Sequence, residues 1–379
     1  MGLIRVRLVL LAIAGLLALA APAGAASQVG VYVALGDSYT AGPLVPNPTG
    51  DPIDCGRSDH NYPSLVATAI RPAEFRDVSC GSAQTKDMTA PQTGLPLGGT
   101  NPPQFNALDS SVDLVTLGIG GNDMGFGGIV ETCAELGIQS SGQGHPCSDH
   151  YHAGGVDEIA QRLDEKVGPA ITRVIDGIHE RAPNARLVVV GYPDPVPQPP
   201  GCYPVVPIAA GDLPYLHLVA HNLSATVVDR ARAGGAEFVD LLDGSAGHDI
   251  CQLPPKKWYE GIVPTSPAYP AHPNALGMEF AARQVLATLA HPVPNRVRII
   301  RKRRASSGRV VLRVRAPARG AVTATAHGYR KANAFAERAG AVRLTLKPRG
   351  HKPHSGRVKV KVRFAPVGGD PRTVRASIR

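Results

Sequence analysis

The stretch "VYVALGDSYTAG", Val31 to Gly42, decides how the chain is read. An apolar run from Val31 to Leu35 predicts a strand, and Gly36 and Asp37 break it. The small residues Ala41 and Gly42 let the backbone resume, as a helix. Ser38 then stands at the C-terminal edge of a strand, where open α/β sheets keep their chemistry. A hydroxyl there is either a nucleophile or a plain turn residue, and the rest of the chain has to decide.

The same pattern recurs downstream. A helix is expected over Tyr62–Ile70, then a strand at Phe75–Val78 that leads into "SCGSAQT". The run "DLVTLGIGGND" (Asp113–Asp123) supplies another strand, Val156–Arg181 a helix, and "ARLVVVGYP" (Ala185–Pro193) a buried strand. Leu213–Ala233 reads as helix, "AEFVDL" as the last strand, and Asn274–Leu289 as the final helix. Five strands separated by helices predict a three-layer α/β sandwich: a central parallel five-stranded sheet with helices on both faces, of flavodoxin-like type. The connections Pro43–Asn61, Thr89–Gln104, Gly137–His152 and Pro193–Pro214 are long and rich in Pro and Gly, the kind of segment from which substrate pockets are built.

Both ends of the chain differ from this pattern. Arg5 and Arg7 precede an apolar run, Leu8–Ala20, that closes on "APAGAAS". Residues 1–26 therefore read as a secretory signal cleaved near Ala25–Ala26, and the mature protein is expected outside the cytoplasm. Six cysteines in an exported chain favour three disulfides, and nearest-neighbour pairing gives Cys55–Cys80, Cys133–Cys147 and Cys202–Cys251. No CxxC pair occurs, which argues against a zinc knuckle or a dithiol redox site. The net charge of +10 averages two unlike parts: residues 1–295 hold 16 Lys and Arg against 28 Asp and Glu, whereas residues 296–379 hold 24 against 2. We therefore divide the mature chain into 27–293 and a basic module, 294–379. Short runs in the module alternate apolar with basic residues ("RVVLRVRAP", "RVKVKVRFAP") and predict a small all-β, sandwich-like unit. It has no aromatic series able to stack bases, so an anionic cell-envelope surface is the expected partner and nucleic acid is not. A basic face that is merely solvated is the alternative.

If Ser38 attacks, it needs a base and an oxyanion hole, because a serine hydroxyl is a weak nucleophile at its free pKa. Other strand ends supply the residue types: Gly81 in "SCGSAQT", Asn122 in "GIGGNDM", and His272 in "YPAHPNALG" just before the last helix. Taken singly, Gly81 could serve a tight turn, Asn122 a helix N-cap and His272 an ordinary loop. His217 and His221 have i, i+4 spacing, but they lack the Glu of HExxH and any third ligand, so no metal is expected.

Taken in order, "GDSYTAG", "SCGSAQT", "GIGGNDM" and "YPAHPNALG" resemble the SGNH, or GDSL, hydrolases, and among them the secreted actinomycete-type esterases and lipases. The resemblance spans about Val29 to Leu289. It implies that Ser38 is the nucleophile and His272 the general base. The oxyanion hole would consist of the Ser38 N–H, the Gly81 N–H and the Asn122 side chain, and no cofactor is needed. One position departs from the family. Asp is usual three residues before the histidine, and here that residue is Tyr269. The backbone carbonyl of Tyr269 is expected to orient the imidazole instead, making a Ser38–His272 dyad, with Asp243 and Asp249 as rival acids. The implied activity is carboxylic ester hydrolysis on an ester or lipid substrate by a monomer. Carbohydrate or cell-wall O-deacetylation on the same residues is the alternative within the enzyme class. A non-catalytic envelope-binding protein acting through the basic module is the alternative outside it.

Overall fold

The computed structural model describes residues 29–350 and 356–378, so the expected leader, 1–26, lies outside the described residues. Strand β1 (Val31–Gly36) runs into the single-turn helix α1 (Ser38–Ala41). A two-residue hairpin, β2 (Pro48–Thr49) and β3 (Arg57–Ser58), precedes α2 (Tyr62–Ile70), whose N-cap Asn61 accepts the Ser64 N–H at 2.9 Å. Next come β4 (Glu74–Asp77), β5 (Leu114–Gly118), α3 (Gly121–Met124), α4 (Phe126–Gln139), α5 (Pro146–His152), α6 (Glu158–Arg162) and α7 (Gly168–Arg181). The series closes with β6 (Arg186–Val190), α8 (Leu213–Gly234), β7 (Glu237–Val239) and α9 (Ala275–Ala290).

The sheet order is β4-β1-β5-β6-β7, and every pairing in it is parallel. Side chains alternate between its two faces. Val33, Leu35, Val115, Leu117, Leu187 and Val189 pack with Ile171, Ile175 and Val227 of α7 and α8. Tyr32, Ala34, Leu114, Val188 and Val190 pack with Val66, Phe280 and Val285 of α2 and α9. That split explains why these strands read as continuous apolar runs: both faces are covered.

Two local expectations differ from the structure. The helix expected over 156–181 is interrupted by a π-turn at Leu163–Val167, just before Pro169, which has no N–H for the ladder. The loop expected over 137–152 contains α5, a short helix fastened by the Cys133–Cys147 disulfide. The other bridges are Cys55–Cys80 and Cys202–Cys251. Among the described residues no helix is long and apolar enough to cross a membrane.

Residues 298–350 and 356–378 form two facing antiparallel sheets. Their strands are β8 (Arg298–Arg304), β9 (Val310–Ala316), β10 (Gly320–Ala326), β11 (Ala332–Ala336), β12 (Gly340–Leu346), β13 (Val358–Pro366) and β14 (Arg372–Ile378). The orders are β12-β9-β8 and β11-β10-β13-β14. Val310, Leu312, Val314, Val360, Val362 and Phe364 fill the space between them.

This sandwich sits at the N-terminal ends of the parallel strands. Arg319 Nη1 donates to the Pro183 carbonyl at 3.0 Å and Arg338 Nη1 to that of Ala233 at 3.3 Å. Beside this seam Arg186 forms a two-pronged ion pair with Glu237, at 2.7 and 2.8 Å, and also donates to the carbonyls of Thr288 and Leu289 in the last turn of α9 and of its C-cap His291. One guanidinium thus ties β6, β7 and the end of α9 together. Arg186→Ala should lower stability by about 2 kcal/mol, since it leaves a half-buried carboxylate and three carbonyls without their donor. A urea midpoint unchanged from wild type would contradict this.

Candidate active site

The turn after β1 is built around close backbone approaches. A Cβ on Gly36 would lie 2.2 Å from Thr40 Oγ1 and 2.7 Å from the Gly118 carbonyl, so only glycine fits. The buried Gln104 amide holds the Gly36 peptide on both sides, accepting its N–H at 2.8 Å and donating to its carbonyl at 2.9 Å. Asp37 then caps α1: its backbone N–H reaches Gly118 of the neighbouring β5 at 3.0 Å, and its carboxyl accepts the Tyr39 N–H at 2.9 Å. The other carboxyl oxygen accepts from the Tyr192 hydroxyl, which in turn accepts the Gly121 N–H at 2.9 Å. Burial pushes the Asp37 carboxyl up to about 7. Ser38 comes out of this turn first in its helix, with a backbone N–H that has no acceptor among the described residues.

His272 arrives from the far end of the chain, on the loop between β7 and α9, and its Nε2 lies 2.7 Å from Ser38 Oγ. Its Nδ1 is 2.7 Å from the Pro270 carbonyl. A carbonyl can only accept, so Nδ1 carries the proton and Nε2 is free to accept from the serine hydroxyl. This corrects the expectation for Tyr269. The Tyr269 carbonyl receives the backbone N–H of His272 at 3.2 Å, closing a turn in which Ala271 has φ of +59°. That turn brings the next carbonyl, of Pro270, level with the ring. The ring of Tyr269 is half exposed and stands edge-on to the imidazole, with centroids 5.3 Å apart.

No carboxylate touches His272 among the described residues. Asp249 accepts from Cys251 N–H and Gln252 Nε2, at 2.9 and 3.0 Å, and Asp243 opens a separate 3-10 turn. The imidazole is buried, which lowers its pKa below the ordinary histidine value, and the Pro270 carbonyl opposes that shift only in part. Tyr39, whose hydroxyl donates to the Ala271 carbonyl at 2.7 Å, packs against the ring and fixes the turn.

Asn122 is the second residue of α3 and not an N-cap. Its Nδ2 donates one hydrogen to the Ala83 carbonyl at 3.0 Å, which leaves the second hydrogen for the cleft. Its neighbour Asp123 accepts the Thr85 N–H at 3.0 Å, so the loops after β4 and β5 are laced together. Gly81 lines the same cleft, but its N–H donates to the Cys55 carbonyl at 2.8 Å. The role expected for that N–H as an oxyanion donor is therefore not open to it in this geometry. The Cys55–Cys80 bridge joins the same two segments beside this contact. Of the histidine pair, His217 turns Nδ1 to Asp194 and Nε2 toward Gln198, and no group of three His, Cys, Asp or Glu that could hold a metal occurs among the described residues.

Sequence reasoning missed Tyr192, Gln104 and Tyr39, which hold the turn without taking part in bond making. Only Tyr192 left a trace, as a polar aromatic ending a strand in "GYP".

Two cavities meet at Ser38. One is narrow, about 100 Å³, and lined by apolar side chains including Phe126, Val130, Val196, Val206, Ile208, Leu216, Val219 and Leu223. The other is a wide cleft of about 900 Å³ bordered by Gly81, Ser82, Gln84, Lys86, Glu131 and His272. The Cys202–Cys251 bridge fastens the segment that roofs the narrow cavity, packing with Val206 and Ile208.

The profile of the GDSL-like Lipase/Acylhydrolase family matches residues 34–280, which takes in Ser38, Gly81, Asn122 and His272 and stops short of the basic module. Lipase 2 of Streptomyces coelicolor is 39% identical over 274 residues, covering 71% of this chain and 89% of that protein. Among solved structures, phospholipase A1 from Streptomyces albidoflavus NA297 superposes with a TM-score of 0.56 at 28% identity, over 68% of this chain and 99% of that one. The extracellular lipase from Streptomyces rimosus gives 0.57 at 26% identity, over the same shares. A parallel sheet with this strand order, the matched profile and relatives named as lipases converge: the chain belongs to the GDSL-like lipase/acylhydrolase family and is a carboxylic ester hydrolase.

Proposed function

We propose that this is an exported, monomeric lipase or esterase that works through an acyl-enzyme on Ser38, with a Ser38–His272 dyad oriented by the Pro270 carbonyl. The observation that carries the reading is the 2.7 Å contact between Ser38 Oγ and His272 Nε2 at the junction of the two cavities. Ser38 gives its proton to Nε2 as Oγ attacks the ester carbonyl. The tetrahedral oxyanion is held by the Ser38 N–H and the second Nδ2 hydrogen of Asn122, each such donor supplying about 2.7–4 kcal/mol of barrier lowering. Gly81 joins them only if its N–H leaves Cys55. The imidazolium returns its proton to the departing alkoxide, and water repeats the cycle from the wide cleft.

The narrow cavity takes the acyl chain and the wide cleft takes the alcohol. An acetyl group would leave most of that apolar lining unfilled, so longer acyl esters are favoured over carbohydrate O-deacetylation. Export is supported by the basic-then-apolar start of the sequence and by the three disulfides. The mature chain divides at residues 293 and 294, and the basic module holds the enzyme at an anionic envelope surface.

Ser38→Ala should abolish turnover and fluorophosphonate labelling, and His272→Ala should cut kcat by at least about 10³-fold. Asp243→Ala and Asp249→Ala should keep wild-type kcat, and loss of turnover in either folded variant would restore a carboxylate to the mechanism. Because His272 loses its proton below the usual histidine range, kcat/KM should rise with pH through one ionisation below about 6.5 and then stay level. An acid limb centred above 7 would count against a buried, carbonyl-held imidazole. Over p-nitrophenyl esters from acetate to palmitate, medium and long chains should be preferred. Ala220→Phe, which fills the narrow cavity, should move that preference to shorter chains, at about 0.8 kcal/mol for each methylene excluded. An unchanged profile would mean that the chain binds elsewhere.

A further inference from the structure

The outer face of the three-stranded sheet in the basic module presents Arg298, Arg301, Arg303, Arg313, Arg315 and Arg343, all exposed. The register places Arg343 of β12 opposite Arg313 of β9, and Arg313 opposite Arg301 of β8, so three arginines stand in one row across the sheet. Arg315 pairs with Arg298 in the next row, and a bulge at Ile300 turns both Arg298 and Arg301 outward. Strands β8, β9 and β12 contain no Asp or Glu. Among the described residues none of these six arginines makes an ion pair, while Glu337, one of only two acids in the module, faces Arg319 at the seam.

Like charges directly opposite one another weaken a sheet. Basic residues on edge strands are a common guard against strand-to-strand aggregation, but Arg313 and Arg315 lie on the central strand, where no edge needs guarding. Solubility calls for mixed signs and not for one sign in register. What this face complements is a polymer of regularly spaced anions. All six side chains are arginine, whose fork matches phosphate oxygens in pairs. Rows along a strand repeat every two residues, roughly 7 Å.

We infer that the β12-β9-β8 face is a binding site for a linear, non-nucleic phosphodiester polymer of the polyol-phosphate type, which tethers the enzyme. The inference rests on reading the module as an envelope-retention unit, and it names the face and the ligand chemistry. A lipid bilayer is the poorer match. The face has no Trp, Tyr or Phe to seat in an interface, and the module adjoins the N-terminal ends of the parallel strands, whereas Ser38 lies at their C-terminal ends. Nucleic acid is disfavoured by the absence of aromatic platforms and of a helix to enter a groove.

The test measures binding of full-length mature protein to fluorescently labelled poly(glycerol phosphate) by anisotropy. Phosphatidylglycerol vesicles and duplex DNA at equal phosphate content serve as comparators. The expected result is binding to the polymer in preference to both, with log affinity falling linearly against log salt. The triple variant Arg301→Gln, Arg313→Gln, Arg343→Gln should bind at least about tenfold more weakly, and Lys359→Gln, Lys361→Gln, Arg363→Gln on the other sheet less than about threefold. Equal weakening by the two triple variants would overturn the site. Stronger binding to vesicles or DNA would overturn the ligand, and no polymer binding at low salt would overturn both. Turnover of p-nitrophenyl butyrate, which depends on Ser38, should be unchanged in both triple variants, so a failure of the hydrolase mechanism would register separately from a failure of the tether.

Discussion

The Tyr192 hydroxyl is the contact on which the catalytic edge depends. It donates to the Asp37 carboxyl and accepts from the Gly121 N–H, joining the ends of β1, β5 and β6 with one buried phenol. Strands in a parallel sheet end at the same edge, but nothing in the pairing fixes the turns that follow them. The phenol does so here: Asp37 orients the turn that presents Ser38, and Gly121 precedes Asn122. The low dielectric around these groups strengthens the hydrogen bonds and raises the cost of losing either partner. Burial that holds Asp37 near a pKa of 7 also means that raising the pH from 4 through 7 removes a proton which the folded state binds more tightly than the unfolded chain. Folding is stabilised by that proton below this window and loses the contribution across it.

The proposed dyad would replace a charge with a dipole. A carboxylate would raise the histidine pKa and stabilise the imidazolium, whereas the Pro270 carbonyl holds the same tautomer with less electrostatic pull. Burial acts in the same direction by disfavouring the protonated ring. In the proposed mechanism more of the base would thereby stay unprotonated in mildly acid conditions, while the charged intermediate would gain less. Rigid placement makes up part of the difference: Tyr39, Tyr269 and the backbone bonds to Tyr269 and Glu260 leave the imidazole little freedom.

Much of this was legible in the sequence, for reasons that differ between elements. Buried parallel strands give long apolar runs, so β1, β5 and β6 stood out, and α2, α8 and α9 could be bounded within a few residues by their periodicity and flanking turns. Helix α5 was hidden because a disulfide, and not an apolar stripe, holds it down. Ser38, Asn122 and His272 were singled out because their motifs follow one another in the order of the family they resemble, and the structure brings Ser38 and His272 together and sets Asn122 on the same cleft. The identity of the carbonyl on Nδ1 was not legible, since Tyr269 and Pro270 differ only in which way a turn faces. Nor could the sequence reveal that Gly81 gives its N–H to Cys55, a contact between segments distant in the chain and joined by the Cys55–Cys80 bridge.

The unequal widths of the two cavities bear on kinetics. On the proposed assignment, with the acyl chain in the narrow one, the alcohol would depart through the wide cleft while the ester to Ser38 persists. The vacated cleft then admits whatever nucleophile is at hand. Partitioning of the acyl-enzyme between water and added alcohols becomes a measure of how wet that cleft is, and transesterification in mixed solvents is the outcome its width favours.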